Sequence, residues 1–305
     1  MLSVVTSVYR TAQFLESFAS GVDAAARACG MTDYEMIFVV DGSPDDAIAV
    51  LRDLKSRYKS IRAIELSRNF GHHPALWCGL EQARGDLIFL ADSDLETPPE
   101  ILIELYAALS DGDIDVAFAY QRERSGTWLR RWSSRIFWRW FSALAEVRVH
   151  PGVLTERLMR RRYVDAILQM KESTLFLAGM MEWIGFRQMP VAAIRTPRKG
   201  PPSYSWLRRA ALALDAVTSF STVPMKILFL AGALLAAAAM LGGLFLVVLK
   251  LTDPGLIVQG FTALAVLLLF SLGSILAAIG LVGLYLGKVF LQTKSRPLYV
   301  IRREI

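Results

Sequence analysis

Short apolar runs alternate with longer amphipathic stretches through the N-terminal part of the chain. Leu2–Tyr9, Glu35–Val40, Ile61–Leu66, Leu87–Ala91 and Asp115–Ala119 are of strand length and apolar almost throughout, which predicts strands buried on both faces. Between them the spacing predicts helices from about Thr11 to Ala28 and from Pro74 to Ala83. Strand and helix in alternation imply right-handed crossovers, hence an α/β fold with a doubly wound, mostly parallel sheet.

The pattern changes in the C-terminal third. Ile227–Leu249 is 23 residues without a charge and Leu256–Gly287 is 32. Both exceed the roughly 20 residues that cross a bilayer, so two transmembrane helices are expected. Lys226 precedes the first, and Lys288, Lys294, Arg296, Arg302 and Arg303 follow the second, whereas the loop Lys250–Gly255 carries one Lys and one Asp. The positive-inside rule then places both termini and the N-terminal domain in the cytoplasm of a multi-pass inner (plasma) membrane protein. Met1–Tyr9 lacks the basic n-region and the length of a signal peptide.

A third pattern lies between these two. Trp128–Phe141 holds four of the seven Trp together with Arg130, Arg131, Arg135 and Arg139. At helical spacing Leu129, Trp132, Ile136 and Trp140 form one stripe, and Arg131, Arg135 and Arg139 an adjoining one. That predicts an interfacial amphipathic helix over about 128–145, or else a helix packed on the sheet. Four charges in fourteen residues are too costly for a third span. Trp206–Val223 reads as a second juxtamembrane helix, preceded by the Pro/Gly-rich basic loop Arg195–Tyr204, a candidate lid. The expected division is a catalytic domain over 1–200, a juxtamembrane helix over 201–225, and two spans (about 227–249 and 256–287) with a basic tail over 226–305.

Composition refines this. A net charge of +6 fits an anionic membrane surface. Nucleic acid is the competing partner of a basic chain, and it is disfavoured because the basic residues crowd toward the membrane end. Cys29 and Cys78 form no metal or redox spacing. Gly283 and Gly287 give a small-xxx-small spacing that packs helices, within the chain or in a homo-oligomer.

The candidate chemistry sits in Asp86–Glu96, DLIFLADSDLE. A buried strand there delivers Asp92, Asp94 and Glu96 to its C-terminal edge, where open α/β sheets bind ligands. Extended backbone would place the three on one side, within reach of one hard cation. An acidic turn and helix cap before Pro98-Pro99 explains the same residues without a metal.

The stretches VVTSVYRTAQFL, FVVDGSPDD, LSRNFGHHPALWCGLEQARGD, ADSDLETPPE and LDAVTSFSTVP resemble the family-2 glycosyltransferases, in particular the polyprenyl-phosphate branch. The likeness runs from Leu2 to about Pro224. It implies a GT-A fold that transfers a sugar from a nucleotide sugar, UDP- or GDP-linked, to a lipid phosphate such as undecaprenyl phosphate. By the same resemblance Ser7 and Tyr9 hold the nucleotide base and Asp41 contacts the nucleotide. Asp92, Asp94 and Glu96 match the family's Asp-x-Asp-x-Gln, which binds Mg²⁺ or Mn²⁺ and the diphosphate. The resemblance also implies that Arg122 and Arg135 hold the acceptor phosphate. Arg124 and Arg131 are neighbours able to substitute, so the catalytic set is Asp92, Asp94, Arg122 and Arg135. His72 and His73 contact phosphate or form a solvated pair, and Arg68 and Asn69 line the site or clamp a loop.

Two departures stand out. The family's Gly-Asp-Phe-Arg-Leu before a helix is Leu154-Thr155-Glu156-Arg157-Leu158 here, so Thr155 replaces an Asp often assigned to catalysis. A hydroxyl cannot serve as a base near neutral pH. Either the ionised phosphate needs no base, or Glu156 reaches the site through a repositioned loop. The family's Ser-Lys-Tyr is Pro202-Ser203-Tyr204, which makes Lys199 the nearest replacement cation at the nucleotide sugar. The reading is therefore a metal-dependent, inverting membrane glycosyltransferase for cell-envelope or O-antigen glycans. Its alternatives are the same fold with a glycan or glycolipid acceptor, or a non-catalytic membrane protein that binds nucleotide sugar or lipid phosphate.

Overall fold

The computed structural model describes residues 1–110, 113–121, 150, 152–172, 175–194, 223–252 and 261–305. They fall into two units, each described separately below: one formed by the N-terminal domain together with the C-terminal tail, the other by the two long apolar helices.

In the first unit β1 (Leu2–Val8), β2 (Tyr34–Val40), β3 (Ile61–Leu66) and β4 (Leu87–Leu90) are parallel neighbours in the order β4-β1-β2-β3. They alternate with α1 (Leu15–Ala28), α2 (Ala47–Arg57) and α3 (His72–Gln82), and α4 (Ile101–Ser110) follows β4. Val4, Val8, Phe18, Phe38, Leu51 and Leu102 share one core on the face covered by α1, α2 and α4. The opposite face of β1 carries Ser3, Val5 and Ser7, and α3 lies against it. Gly79 makes this close approach: a Cβ there would collide with the Val5 side chain.

Beyond β4 the mostly parallel sheet takes in antiparallel strands. β6 (Val153–Arg160) inserts between β4 and β5 (Val116–Gln121), antiparallel to both, and β7 (Gln188–Ala193) pairs parallel with β5. The sheet of eight strands is mixed: six point one way, and β6 and β8 run against them. After β6 come α5 (Arg161–Leu168) and α6 (Leu177–Trp183).

The other edge is closed by the chain's far end. β8 (Ile301–Glu304) pairs antiparallel with β3, Ile64 opposite Glu304 and Glu65 opposite Arg303. Arg302 and Arg303 both bond the Glu65 carboxylate, and Arg62 bridges Glu304 and the buried Glu35, each at 2.9 Å. Burial alone would raise the Glu35 pKa, but the Ser3 hydroxyl, Arg62 and the Arg84 amide outweigh it and hold it low. Two of the basic tail residues thus serve the sheet edge.

The second unit contains α7 (Val223–Thr252, 30 residues) and α8 (Phe261–Thr293, 33 residues). Large apolar side chains such as Phe229 and Leu286 stand exposed along them. Among the described residues, one stretch, Phe270–Thr293, is long and apolar enough to cross a membrane. The expected interfacial helix at 128–145, the juxtamembrane helix at 206–223 and the lid at 195–204 lie outside the described residues.

Candidate active site

The strands β1 to β4 all end at one edge, and the loops that follow are knitted together there. The Asp41 carboxylate, at the end of β2, is buried and accepts hydrogen bonds from the amides of Phe70 (2.6 Å) and Gly71 (2.9 Å). Burial raises its pKa, opposed by those two amides and by the charges of His72 and Arg68. Gly42 follows with φ +56°, and a Cβ on it would run into the backbone of Arg68 and Asn69. The Asp-Gly pair therefore seats the β3–α3 loop, which ends at His72 and His73.

Ser93 stitches β4 to β1, donating to the Ser7 carbonyl at 2.8 Å and meeting the Thr11 hydroxyl at 2.9 Å. On either side of it Asp92 and Asp94 face a cavity lined also by His72, His73, Glu96, Thr155, Glu156 and Arg157. The expected extended backbone over 92–96 is corrected. The strand stops at Leu90, Leu95 adopts φ +58°, and Asp94 Oδ1 caps its own turn by accepting from the Glu96 amide at 3.0 Å. The three carboxylates still reach one cavity, through a turn.

The imidazole of His72 spans two loops. Its Nδ1 lies 2.8 Å from Ser7 Oγ and its Nε2 3.5 Å from Asp92 Oδ1. His73, beside it, is largely buried, and burial first, then His72 and Arg157, push its pKa down to about 4, so it is neutral at pH 7. Both histidines, left as either phosphate contacts or a solvated pair, thus line the cavity. Asn69 donates to the Asp41 carbonyl and Arg68 to the Asn69 carbonyl, which makes that pair a loop clamp.

From the other wall, β6 contributes what sequence reasoning had placed least well. Leu90 pairs with Arg157, so Glu156 and Thr155 run alongside the end of β4. Glu156 lines the cavity from within this strand, with no loop to reposition. Arg157, which composition could not distinguish among 34 Lys and Arg, is buried there as well.

Of the other expected site residues, Tyr9 is exposed beside Arg10, and neither it nor Asp41 lines the cavity. Arg122, Arg124, Arg131, Arg135 and Lys199 lie outside the described residues.

Hard oxygen donors at a strand edge suit Mg²⁺ or Mn²⁺ rather than a soft metal. Among the described residues no group of three His, Cys, Asp or Glu converges as a ready cage. That still fits an ion of this type, which takes one or two carboxylates and completes its shell with substrate phosphates and water. Asp92 and Asp94 are the residues that would hold it, with Glu96 next to them.

Residues 3–173 match the family model described as Glycosyl transferase family 2. The chain is 38% identical, over 99% of its length and 87% of the relative's, to a putative glycosyltransferase of Mycobacterium tuberculosis. It is 30% identical, over 100% of its length and 93% of the relative's, to a protein of Enterobacter sp. named undecaprenyl-phosphate 4-deoxy-4-formamido-L-arabinose transferase. Among solved structures, a mannosyltransferase from Pyrobaculum calidifontis in complex with GDP-Man and Mn²⁺ is similar in fold, with TM-score 0.50 at 17% identity over 97% of this chain and 84% of that one. The GT-A-like α/β sheet, the carboxylate-lined edge and the matched family model lead to one conclusion: this chain is a member of glycosyl transferase family 2.

Proposed function

We propose that this glycosyltransferase moves a sugar from a UDP- or GDP-linked donor to a polyprenyl phosphate at the cytoplasmic face of a membrane, with inversion at the anomeric carbon. The observation that carries the reading is the convergence of Asp92, Asp94 and the β6 residues Thr155, Glu156 and Arg157 on one cavity at the strand ends. A relative's naming for undecaprenyl phosphate supports the acceptor, and the Mn²⁺ and GDP-Man of the structural neighbour support the donor and the ion.

Asp92 and Asp94 would hold Mg²⁺ or Mn²⁺, which when bound offsets charge on the departing nucleoside diphosphate. His72 stands between Ser7 and Asp92, with its Nε2 3.5 Å from the carboxylate. An acceptor phosphate is ionised at neutral pH and attacks without a base. Thr155 in the cavity wall is therefore compatible with turnover. Arg122, Arg124, Arg131 and Arg135 remain the proposed cations for the acceptor phosphate, and Lys199 for the donor.

Membrane attachment follows from the exposed apolar helices and from a parity argument. The N-terminal domain up to Ser205 and the tail from Ser295 belong to one unit. If Phe270–Thr293 crosses the bilayer, the chain must cross a second time to bring β8 back to the same sheet. Among the described residues only α7 has the length for that, so we assign two spans with both termini on one side.

The test uses purified protein in detergent with undecaprenyl phosphate, Mn²⁺ and a panel of radiolabelled UDP- and GDP-sugars, following label into the organic phase. Transfer from one donor is expected, with Asp94→Ala reducing it by about 10³-fold or more, as loss of a group that stabilises charge in the transition state. Label that stays in the aqueous phase for every donor sinks the reading.

A further inference from the structure

Arg157 has no part in the chemistry assigned above, and its surroundings are unusual for a cation. It sits on β6 between Leu90 of β4 and Phe118 of β5 and retains 4% of its surface. A guanidinium keeps its charge under all ordinary conditions and brings five donors, so burial without an anion is costly. Burial presses its pKa down, opposed through space by Tyr163, Glu182 and Glu156. Its hydrogen bonds, however, end on neutral groups. Nε donates to the Thr155 carbonyl (3.3 Å), Nη2 to the Leu154 carbonyl (3.1 Å), and Nη1 abuts the Met181 thioether, a weak acceptor. No carboxylate among the described residues bonds to it.

The same side chain lines the cavity that holds Asp92 and Asp94, and close by are the apolar Leu177, Ala178 and Met181 of α6. His73 lines the cavity as well and buries an Nδ1 that no described residue bonds. A cation left without its own anion at the wall of an acid-lined cavity is matched to an anion that arrives with the substrate.

Building on the transferase reading, we infer that Arg157 is a phosphate-binding residue whose guanidinium takes an oxygen of a substrate phosphoryl group in exchange for the Met181 contact. That group is either the donor's diphosphate or the acceptor's monophosphate. The two share one chemistry, a multiply charged oxyanion that a planar guanidinium holds with two parallel donors.

The experiment measures binding of Mn²⁺-GDP, Mn²⁺-UDP and farnesyl phosphate to the full chain in detergent, for wild type, Arg157→Gln and Arg157→Lys, beside thermal unfolding of each. The glutamine variant is expected to lose about tenfold or more in affinity for one class of probe and keep the other within about twofold. Loss confined to the nucleotides assigns the diphosphate, and loss confined to farnesyl phosphate assigns the acceptor. Its Tm without ligand should match or exceed that of wild type, since a buried charge that no described carboxylate bonds has been removed. A residue that only braced the strand would instead lower the Tm and leave every affinity unchanged, and that result overturns the inference. Should the glutamine variant not fold, the lysine variant decides: weakening of about fivefold or more supports the role, and unchanged binding refutes it. A wild-type protein that binds none of the probes refutes the transferase reading itself.

Discussion

Asp41 and Gly42 act on a loop about thirty residues downstream: the carboxylate takes two amides of the β3–α3 loop, and the glycine lets that backbone pass. Their reach extends to the histidines that this loop presents, and His73 carries a measurable signature. Its folded pKa, about 4, lies below the ordinary histidine value of 6.5. Between those values the unfolded chain binds the proton and the folded one does not, so stability is full above the upper value and is lost as pH falls toward the lower. The ceiling on this contribution is about 3 kcal/mol. Thermal unfolding across that window should show a steeper acid loss for wild type than for His73→Asn, and parallel curves would contradict the assignment. Asp92, Asp94 and Glu96 were legible in the sequence because an apolar run announced a strand end. The turn at Leu95 was not, since nothing local to D-S-D-L-E signals φ +58° at a leucine.

At the scale of elements, β1 to β4 and their helices were readable from periodicity, and Ile61–Leu66 appears with the bounds the pattern predicts. β6 and β8 were not. Residues 153–160 and 301–304 mix charge with apolar positions, and their pairing depends on partners distant in the chain. In β6 the charged residues are the ones that enter the cavity or donate to neighbouring carbonyls, as Arg160 does to Ile114 and Leu109. In β8 the arginines pair with Glu65, and Ile305 exchanges backbone hydrogen bonds with Ala63. A chain ended at Arg296 should therefore unfold several degrees lower. Its uncovered β3 edge should also favour self-association, read by light scattering. Unchanged melting and mass would mean that β8 contributes nothing to the sheet.

On the scale of the whole molecule, the sequence and the sheet bear on the proposed topology by different routes. The positive-inside rule placed the tail by its charges, yet Arg302 and Arg303 are spent on Glu65, and the tail's strand is the stronger argument. Single cysteines at position 1 and position 295, in a background without Cys29 and Cys78, should label alike with an impermeant thiol reagent in sealed vesicles. A cysteine placed within residues 253–260 should show the opposite accessibility. Opposite labelling of positions 1 and 295 would rule out the paired spans. The tail also sets an order of events during synthesis. β8 leaves the ribosome after both apolar helices, so the β3 edge waits, unpaired, until those helices have been made. Completion of the sheet is thereby timed behind synthesis of both helices, and a nascent chain stalled before β8 carries an unfinished sheet.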